Sequence, residues 1–117
     1  MKIKFREQNT IAILDVKGKL SGAPLNSRVY EAISQLIQLG KVNIILNLTE
    51  VTHIDALGAG DLVSSKIQAA KEAGNLKLAS VSKKILDFLQ KVDLQGYFEI
   101  YDEETEAIKS FNVLTTD

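Results

Sequence analysis

The segment that decides the fold is IILNLTEVTHIDALGAG, residues 44–60. Its first part continues an apolar run from Val42 to Leu48, which is typical of a central strand covered on both faces. A turn is expected after Leu48, and Asp55 with the Gly-Ala-Gly of 58–60 is expected to open a helix over roughly 58–73. The segment therefore predicts a strand, a loop and a helix, with an acid and two glycines where the helix begins.

The residues before this unit predict a β-hairpin. KIKFRE, residues 2–7, alternates apolar and charged side chains, so we expect Ile3 and Phe5 to lie on one face and the charged residues on a solvent-exposed one. A second strand over 11–18 follows a turn at Gln8–Asn9, and the two strands are expected to pair.

The other elements follow from the same periodicities. One predicted helix begins within Ser21-Gly22-Ala23-Pro24-Leu25 and ends at Gly40. Two further helices are predicted, one over 83–92 capped by Ser82 and one capped by Asp102. The remaining predicted strands cover 75–81 and 97–101. The order β-β-α-β-α-β-α-β-α predicts an α/β fold, a mixed β-sheet with four helices packed on it. We expect one domain over residues 1–112 and a flexible tail over 113–117.

Composition excludes several classes of function. The chain has 117 residues, no cysteine, and 14 basic against 15 acidic residues, for a net charge of −1. Without cysteine there is no disulfide or zinc–thiolate site, and without a dense basic block we expect no nucleic-acid partner. No apolar run reaches the ~20 residues that span a bilayer. We therefore expect a small soluble, cytoplasmic protein that does not span a membrane.

The residues that usually carry catalysis are sparse. The sequence contains no cysteine, and no serine in a strained turn, that the single histidine, His53, could activate. We therefore interpret His53 as a residue at the edge of a loop without a catalytic role. The spacing of Asp15, Glu50, Asp55 and Asp61 matches no calcium loop, and Val63 stands where a dinucleotide-binding loop needs its third glycine. We predict no enzyme activity, no metal and no cofactor, although nucleotide binding stays open.

The start of the second helix admits structural and functional interpretations. Asp55 is more simply a helix cap than a ligand, and Gly58 and Gly60 would let the first turn lie close to a strand or to a partner. Leu57 is either the first core residue of the helix or an exposed apolar contact. We expect the inward face of this helix to be formed by Leu62, Val63, Ile67 and Ala70.

These residues carry a family resemblance. The chain resembles STAS domains, the module of bacterial anti-sigma factor antagonists, over nearly its whole length. The family pattern is a strand reading like L-D-L, followed by V-x-x-I-D-S-S-G-L-G. The positions that match are Leu46, Asn47, Leu48, Val51, Ile54, Asp55, Gly58 and Gly60. The resemblance implies a STAS-like fold and a role in signalling or transcription regulation.

The resemblance also implies a switch that this sequence has altered. In phosphorylatable members, a kinase of the anti-sigma class modifies the serine at the second position after the aspartate, and the added charge blocks binding. Here Ala56 and Leu57 occupy the two serine positions. The usual acid after the G-x-L of the second strand is also replaced, by Ser21. Phosphorylation at the usual position is therefore excluded.

We interpret the chain as a non-enzymatic protein-binding module that is not switched at the family position. Its expected partner is a protein, such as an anti-sigma factor kinase-like protein. The expected partner-binding residues are Leu20, Ser21, Gly22, Ile54, Asp55, Ala56, Leu57, Gly58, Ala59, Gly60 and Asp61. The exposed face of the second helix is expected to complete this surface.

Two alternatives remain open at this point. Members of the family also serve as subunits of lipid-transport ATPases and of stress-signalling scaffolds, which the resemblance allows for this chain. Alternatively, phosphate is added elsewhere, at Ser64 or Ser65, or at Thr52 or Ser21. Ser64 and Ser65 lie about two turns into the predicted helix, where we expect serines to face solvent.

Overall fold

The computed structural model describes residues 2–21 and 28–112, with the side chains of Arg28 and Asn112 left aside. The strands are β1 (Lys2–Gln8), β2 (Ile11–Leu20), β3 (Asn43–Ile54), β4 (Asn75–Ala79) and β5 (Ile100–Tyr101). The helices are α1 (Arg28–Gln38), α2 (Ala56–Lys71), α3 (Lys83–Lys91) and α4 (Glu104–Asn112), with a short 3₁₀ turn at Gln95–Tyr97. The predicted order of strands and helices is confirmed.

The five strands form one mixed sheet in the order β1-β2-β3-β4-β5. β1 pairs antiparallel with β2, and the other neighbours pair parallel. The hairpin turn is formed by Asn9 and Thr10, which have φ of 53° and 67°. Positive φ at both central residues is the mirror-image turn that suits the twist of a hairpin, and it places the turn one residue later than predicted.

In the edge strand β1, the alternation of apolar and charged residues does not predict which side chains are buried. Phe5 pairs with Leu14, so both side chains lie on the same side of the sheet, but Phe5 is 46% exposed. Arg6, expected to face water, is half-buried and bonded to Asp15 and Glu104. An edge strand has a neighbour on one side only, which leaves its apolar residues partly uncovered.

The sheet separates two hydrophobic cores. On one face, α1, α2 and α3 pack against residues such as Leu46 and Leu78, and we call this the large core. On the other face, α4 packs on Ile13 and Ile45, in what we call the small core. Alternate residues of a strand point to opposite faces, so the continuous apolar run of β3 supplies both cores. The expected coverage of this strand on both faces is confirmed.

Strand β3 is longer than predicted. It continues beyond Leu48 to Ile54 and stays paired with β2, with Val51 opposite Gly18 and Ile54 opposite Leu20. The pairing register shifts between Asp15 and Lys17 and again between Gly18 and Lys19. Such irregularities bend a pair of strands without ending it. Pairing with β2 therefore extends a polar segment that sequence alone assigned to a turn.

Helix α2 begins at Ala56 and presents a different face from the predicted one. Its buried residues are Gly58, Ala59, Leu62, Ser65 and Ala69. Of the expected stripe only Leu62 is fully buried; Val63 is half-buried, Ala70 is exposed and Ile67 is 44% exposed. Small residues let the helix axis approach the sheet closely, and this close packing selects the small face in preference to the one carrying Ile67.

Several element ends differ from expectation by a few residues. Residues 95–97 form a 3₁₀ turn, so β5 is shorter than the predicted 97–101. Helix α4 starts after Glu103, whose N–H donates to Glu106 Oε1 at 3.2 Å, so Asp102 is not its cap. The predicted cap at Ser82 is confirmed, since its hydroxyl accepts the Ile85 N–H.

Gly40, with φ of 80°, follows the end of α1 as expected. Lys41 N–H donates to the carbonyl of Leu36 at 2.9 Å, which closes the last turn in the way typical of a left-handed glycine cap. The predicted start of this helix around Gly22 and Pro24 and the predicted tail over 113–117 lie outside the described residues.

Candidate partner-binding surface

The junction between β3 and α2 is built around Asp55. Its carboxylate accepts the N–H of Gly58 at 2.8 Å, which makes it the N-cap of α2. Its own N–H donates to the carbonyl of Leu20 at 3.2 Å. The expected capping role is confirmed. Through the second bond, Asp55 also ties the start of α2 to the ends of β2 and β3.

The two glycines of α2 differ in their surroundings. A Cβ added at Gly58 would lie 1.9 Å from the carbonyl oxygen of Leu20, so any larger residue would push the helix off β2. A Cβ added at Gly60 would meet no atom of the described residues within 4 Å. The close approach expected of these glycines is therefore made to a strand at Gly58, whereas Gly60 leaves open backbone on the outer side of the helix.

The outer side of α2 presents an apolar stripe. Leu57 is 63% exposed and lies with Ala56 in the first helical turn, where a loop was expected. Residues spaced by three or four positions share one face of a helix. We call the exposed stripe the α2 face, and it consists of Leu57, Gly60, Ser64 and Ile67. Of the two interpretations of Leu57, the exposed apolar position is the observed one.

Helix α1 borders the α2 face. Tyr30 is 38% exposed, and its carbonyl accepts the side-chain N–H of Gln68 at 3.3 Å. Ser34 donates to Gln68 Oε1 at 2.6 Å, so a single glutamine holds the two helices side by side. Tyr30 therefore adds an exposed aromatic side chain on the helix that is hydrogen-bonded to α2.

Asp61 has a role that the sequence did not reveal. The half-buried carboxylate accepts the backbone N–H groups of Tyr30 and Val29, in the first turn of α1. Burial raises the pKa of Asp61 above its usual value, although these two N–H groups act in the opposite direction. A side chain of α2 therefore caps α1, which requires the two helices to be neighbours in space.

Not all predicted contact residues are accessible. Leu20, Gly58 and Ala59 are buried, Ile54 is half-buried, and Ser21, Ala56, Leu57 and Gly60 are exposed; Gly22 lies outside the described residues. Ser64 is exposed, but Ser65 is fully buried, and its hydroxyl has no hydrogen-bond partner among the described residues. The expectation that both serines face solvent is wrong for Ser65, because that residue belongs to the inward face of α2.

The described residues hold no cluster of three or more histidine or acidic side chains suited to a metal ion. His53 Nδ1 lies 3.0 Å from the hydroxyl of its neighbour Thr52 on the exposed end of β3. Within the two described stretches, no helix is both long and apolar enough to cross a bilayer. What this region offers at its surface is the exposed side chains of Leu57 and Ile67 and the accessible backbone at Gly60.

Comparison with known proteins agrees with this architecture. A model of the STAS domain family matches residues 2–107. A protein of Thermotoga maritima described as a candidate anti-sigma factor antagonist superposes with a TM-score of 0.81 at 22% identity, over 92% of each chain. The anti-sigma factor antagonist SpoIIAA, a Bacillus protein, gives 0.69 at 18% identity over 96% of this chain and 99% of its own.

A sulfate transporter family protein of Wolinella succinogenes shares the fold as well, with a TM-score of 0.76 at 20% identity over 92% of this chain and 89% of its own. At these identities the structural similarities establish the fold, and the family match covers most of the chain. By its sequence and its structure, the chain belongs to the STAS domain family.

Proposed function

We propose that the chain is a non-enzymatic protein-binding module of the anti-sigma factor antagonist type, with the α2 face as its contact surface. The observation that carries the proposal is Leu57, an exposed leucine held at a capped helix start. Fully burying a leucine contributes about 1.5–3 kcal/mol, and Gly60 leaves room for a partner to approach the helix backbone.

The same residue makes the binding constitutive. SpoIIAA has been solved in unphosphorylated and phosphorylated forms, and in STAS domains of the switching kind the phosphoacceptor serine occupies the position of Leu57. A leucine accepts no phosphate, and its apolar side chain favours the bound state at all times. The partner in this proposal is a protein such as an anti-sigma factor kinase-like protein.

Affinity capture from native cell extract tests this proposal with three proteins: the wild type, Leu57→Asp and the control Leu39→Asp. Leu39 is 72% exposed just past the C-terminal end of α1, whereas Leu57 lies in the first turn of α2, so both variants add one charge at an exposed leucine. We expect a discrete protein partner, identified by mass spectrometry, that Leu57→Asp loses and Leu39→Asp retains.

Circular dichroism and urea unfolding would show that both variants are folded. Equal capture by the wild type and by Leu57→Asp would rule out the α2 face as the contact. A mass increase of the wild-type chain after incubation with ATP and extract, mapped to Ser64, would contradict constitutive binding. Phosphate there would place a charge of about −1.5 to −2 in the middle of the apolar stripe.

A further inference from the structure

A groove lies between the end of β3 and helix α3, beside the start of α2. It has a volume of about 220 Å³. Its apolar floor is formed by Ile54, Ile85 and Phe88, and its rim includes His53, Lys84 and Lys91. Ile85 is buried, whereas Ile54 and Phe88 are half-buried, so part of the apolar floor remains open to solvent.

The size of the groove limits what it can hold. Sites for cofactors and drug-sized ligands are usually about 300–1,000 Å³, which is larger than this groove. A volume of about 220 Å³ with an open apolar floor suits an apolar side chain inserted from above. The geometry therefore favours a segment of a protein over a cofactor.

The charge at the rim restricts the occupant further. The whole chain has a net charge of −1, but α3 carries Lys83, Lys84 and Lys91 against a single acid, Asp87. Asp87 also lines the groove, but its carboxylate is 3.4 Å from Lys83 Nζ and is thereby partly neutralised. Lys84 and Lys91 lie two helical turns apart, about 10 Å along the axis, and leave positive charge along the groove.

We propose that this groove binds an acidic segment of a partner protein, with one apolar side chain on the floor and carboxylates beside Lys84 and Lys91. The proposal rests on the protein-binding role proposed above and adds a second contact to it. The two contacts are continuous in sequence, because His53 and Ile54 directly precede the Asp55 cap and Leu57. A partner that covers both contacts would place apolar side chains at two positions on this chain, and its negative charge would lie at the groove only.

The test is an NMR titration of the ¹⁵N-labelled full chain with three acetylated, amidated peptides: EEFEE, KKFKK and EESEE. We expect EEFEE alone to shift the amide signals of residues 53–54 and 84–91. The double variant Lys84→Glu/Lys91→Glu is expected to lose these shifts. The control Lys71→Glu/Lys109→Glu, with the same change in net charge at exposed positions, is expected to keep them.

Equal shifts from KKFKK or EESEE would overturn the proposal, since they would remove the requirement for acids or for the apolar side chain. Shifts confined to residues outside the groove would do the same, as would binding of decanoate without binding of EEFEE, which would assign the groove to a lipid carboxylate. Leu57→Asp is expected to keep the EEFEE shifts. Loss of partner capture by Leu57→Asp together with no peptide binding would leave the proposed function standing and reject the groove.

Discussion

The two faces of the sheet are held by different kinds of interaction. Among the described residues, the large core contains eighteen buried apolar side chains and the small core contains six. On the side of the small core, polar contacts add to the apolar packing. Arg6 forms ion pairs with Asp15 and with Glu104, each at 2.6 Å, and Asn47 donates to Glu104 at 2.8 Å. Among the described residues, ion pairs therefore contribute to holding α4 on the sheet, whereas α1 and α2 are joined by neutral hydrogen bonds through Gln68 and by the Asp61 cap.

A buried lysine adds to the contrast. Lys77 is 6% exposed beneath α4, where its Nζ donates to Ser110 at 2.7 Å and lies 4.1 Å from the centre of the Phe111 ring. Glu99 pairs with the same ammonium at 3.3 Å. The proposed binding surface therefore lies on the side of the sheet where the helices are held mainly by apolar packing. Apolar packing is less sensitive to pH and salt than ion pairs are.

The largest expected effect comes from removing apolar volume on each face. Leu46→Ala in the large core is expected to lower the free energy of unfolding by about 2–5 kcal/mol, because a fully buried leucine leaves a cavity. Ile108→Ala in the small core should cost less and should loosen α4 selectively. Urea unfolding measures the loss of stability, and amide hydrogen exchange measures the loosening of α4. Equal losses of stability in the two variants, with exchange increased uniformly along the chain, would contradict the difference between the two faces.

The next effect concerns how closely α2 approaches β2. Gly58→Ala is expected to destabilise the chain by about 1–3 kcal/mol, because its Cβ would overlap the carbonyl of Leu20. Gly60→Ala is the matched control, and in open space it should stabilise α2 by about 0.5–1 kcal/mol. Urea unfolding of both variants checks the signs. A neutral Gly58→Ala would mean that the helix can move away from the strand freely.

A smaller effect is expected where α2 caps α1. Asp61→Ala removes the acceptor for the N–H groups of Val29 and Tyr30 and is expected to cost about 1 kcal/mol. Asp61→Asn keeps an acceptor oxygen and should cost less. Amide exchange in the first turn of α1 is the specific measurement. Unchanged protection there in Asp61→Ala would show that the cap is dispensable.

The smallest effect separates the two faces by the sign of their pH dependence. The guanidinium of Arg6 lowers the pKa of Glu104 below its usual 4.5, so the stability from this carboxylate is present above that pH and is lost as pH falls through the lowered value. Burial raises the pKa of Asp61 above its usual 3.8, so its contribution is present below that pH and is lost as pH rises through the raised value.

Unfolding free energies measured from pH 3 to pH 7 check these two signs. Glu104→Gln should weaken the loss of stability in acid, by about 0.5–1 kcal/mol for a partly exposed ion pair. Asp61→Asn should remove a contribution of the opposite sign, which is a loss of stability as pH rises. If Glu104→Gln left the acid side of the profile unchanged, the Arg6 network would not contribute to holding α4.

Local patterns predicted much of this protein correctly. The order of elements, the caps at Asp55 and Ser82 and the glycine at the end of α1 all depend on residues adjacent in sequence. Apart from shifts of a residue or two at the ends of elements, the larger errors share one cause. The extension of β3 depends on pairing with β2, the inward face of α2 depends on the space beside the sheet, and the burial of Ser65 follows from that face.

The candidate surface, too, has features that the sequence predicts and features that depend on the tertiary structure. The sequence by itself determined that an aspartate-capped helix follows a central strand and that its first turn carries a leucine where STAS domains of the switching kind carry a serine. Only the tertiary structure decided that Leu57 points to solvent, that Gly58 touches β2 and that Asp61 caps α1. Burial and long-range hydrogen bonds depend on distances between segments, and no periodicity within one segment encodes those distances.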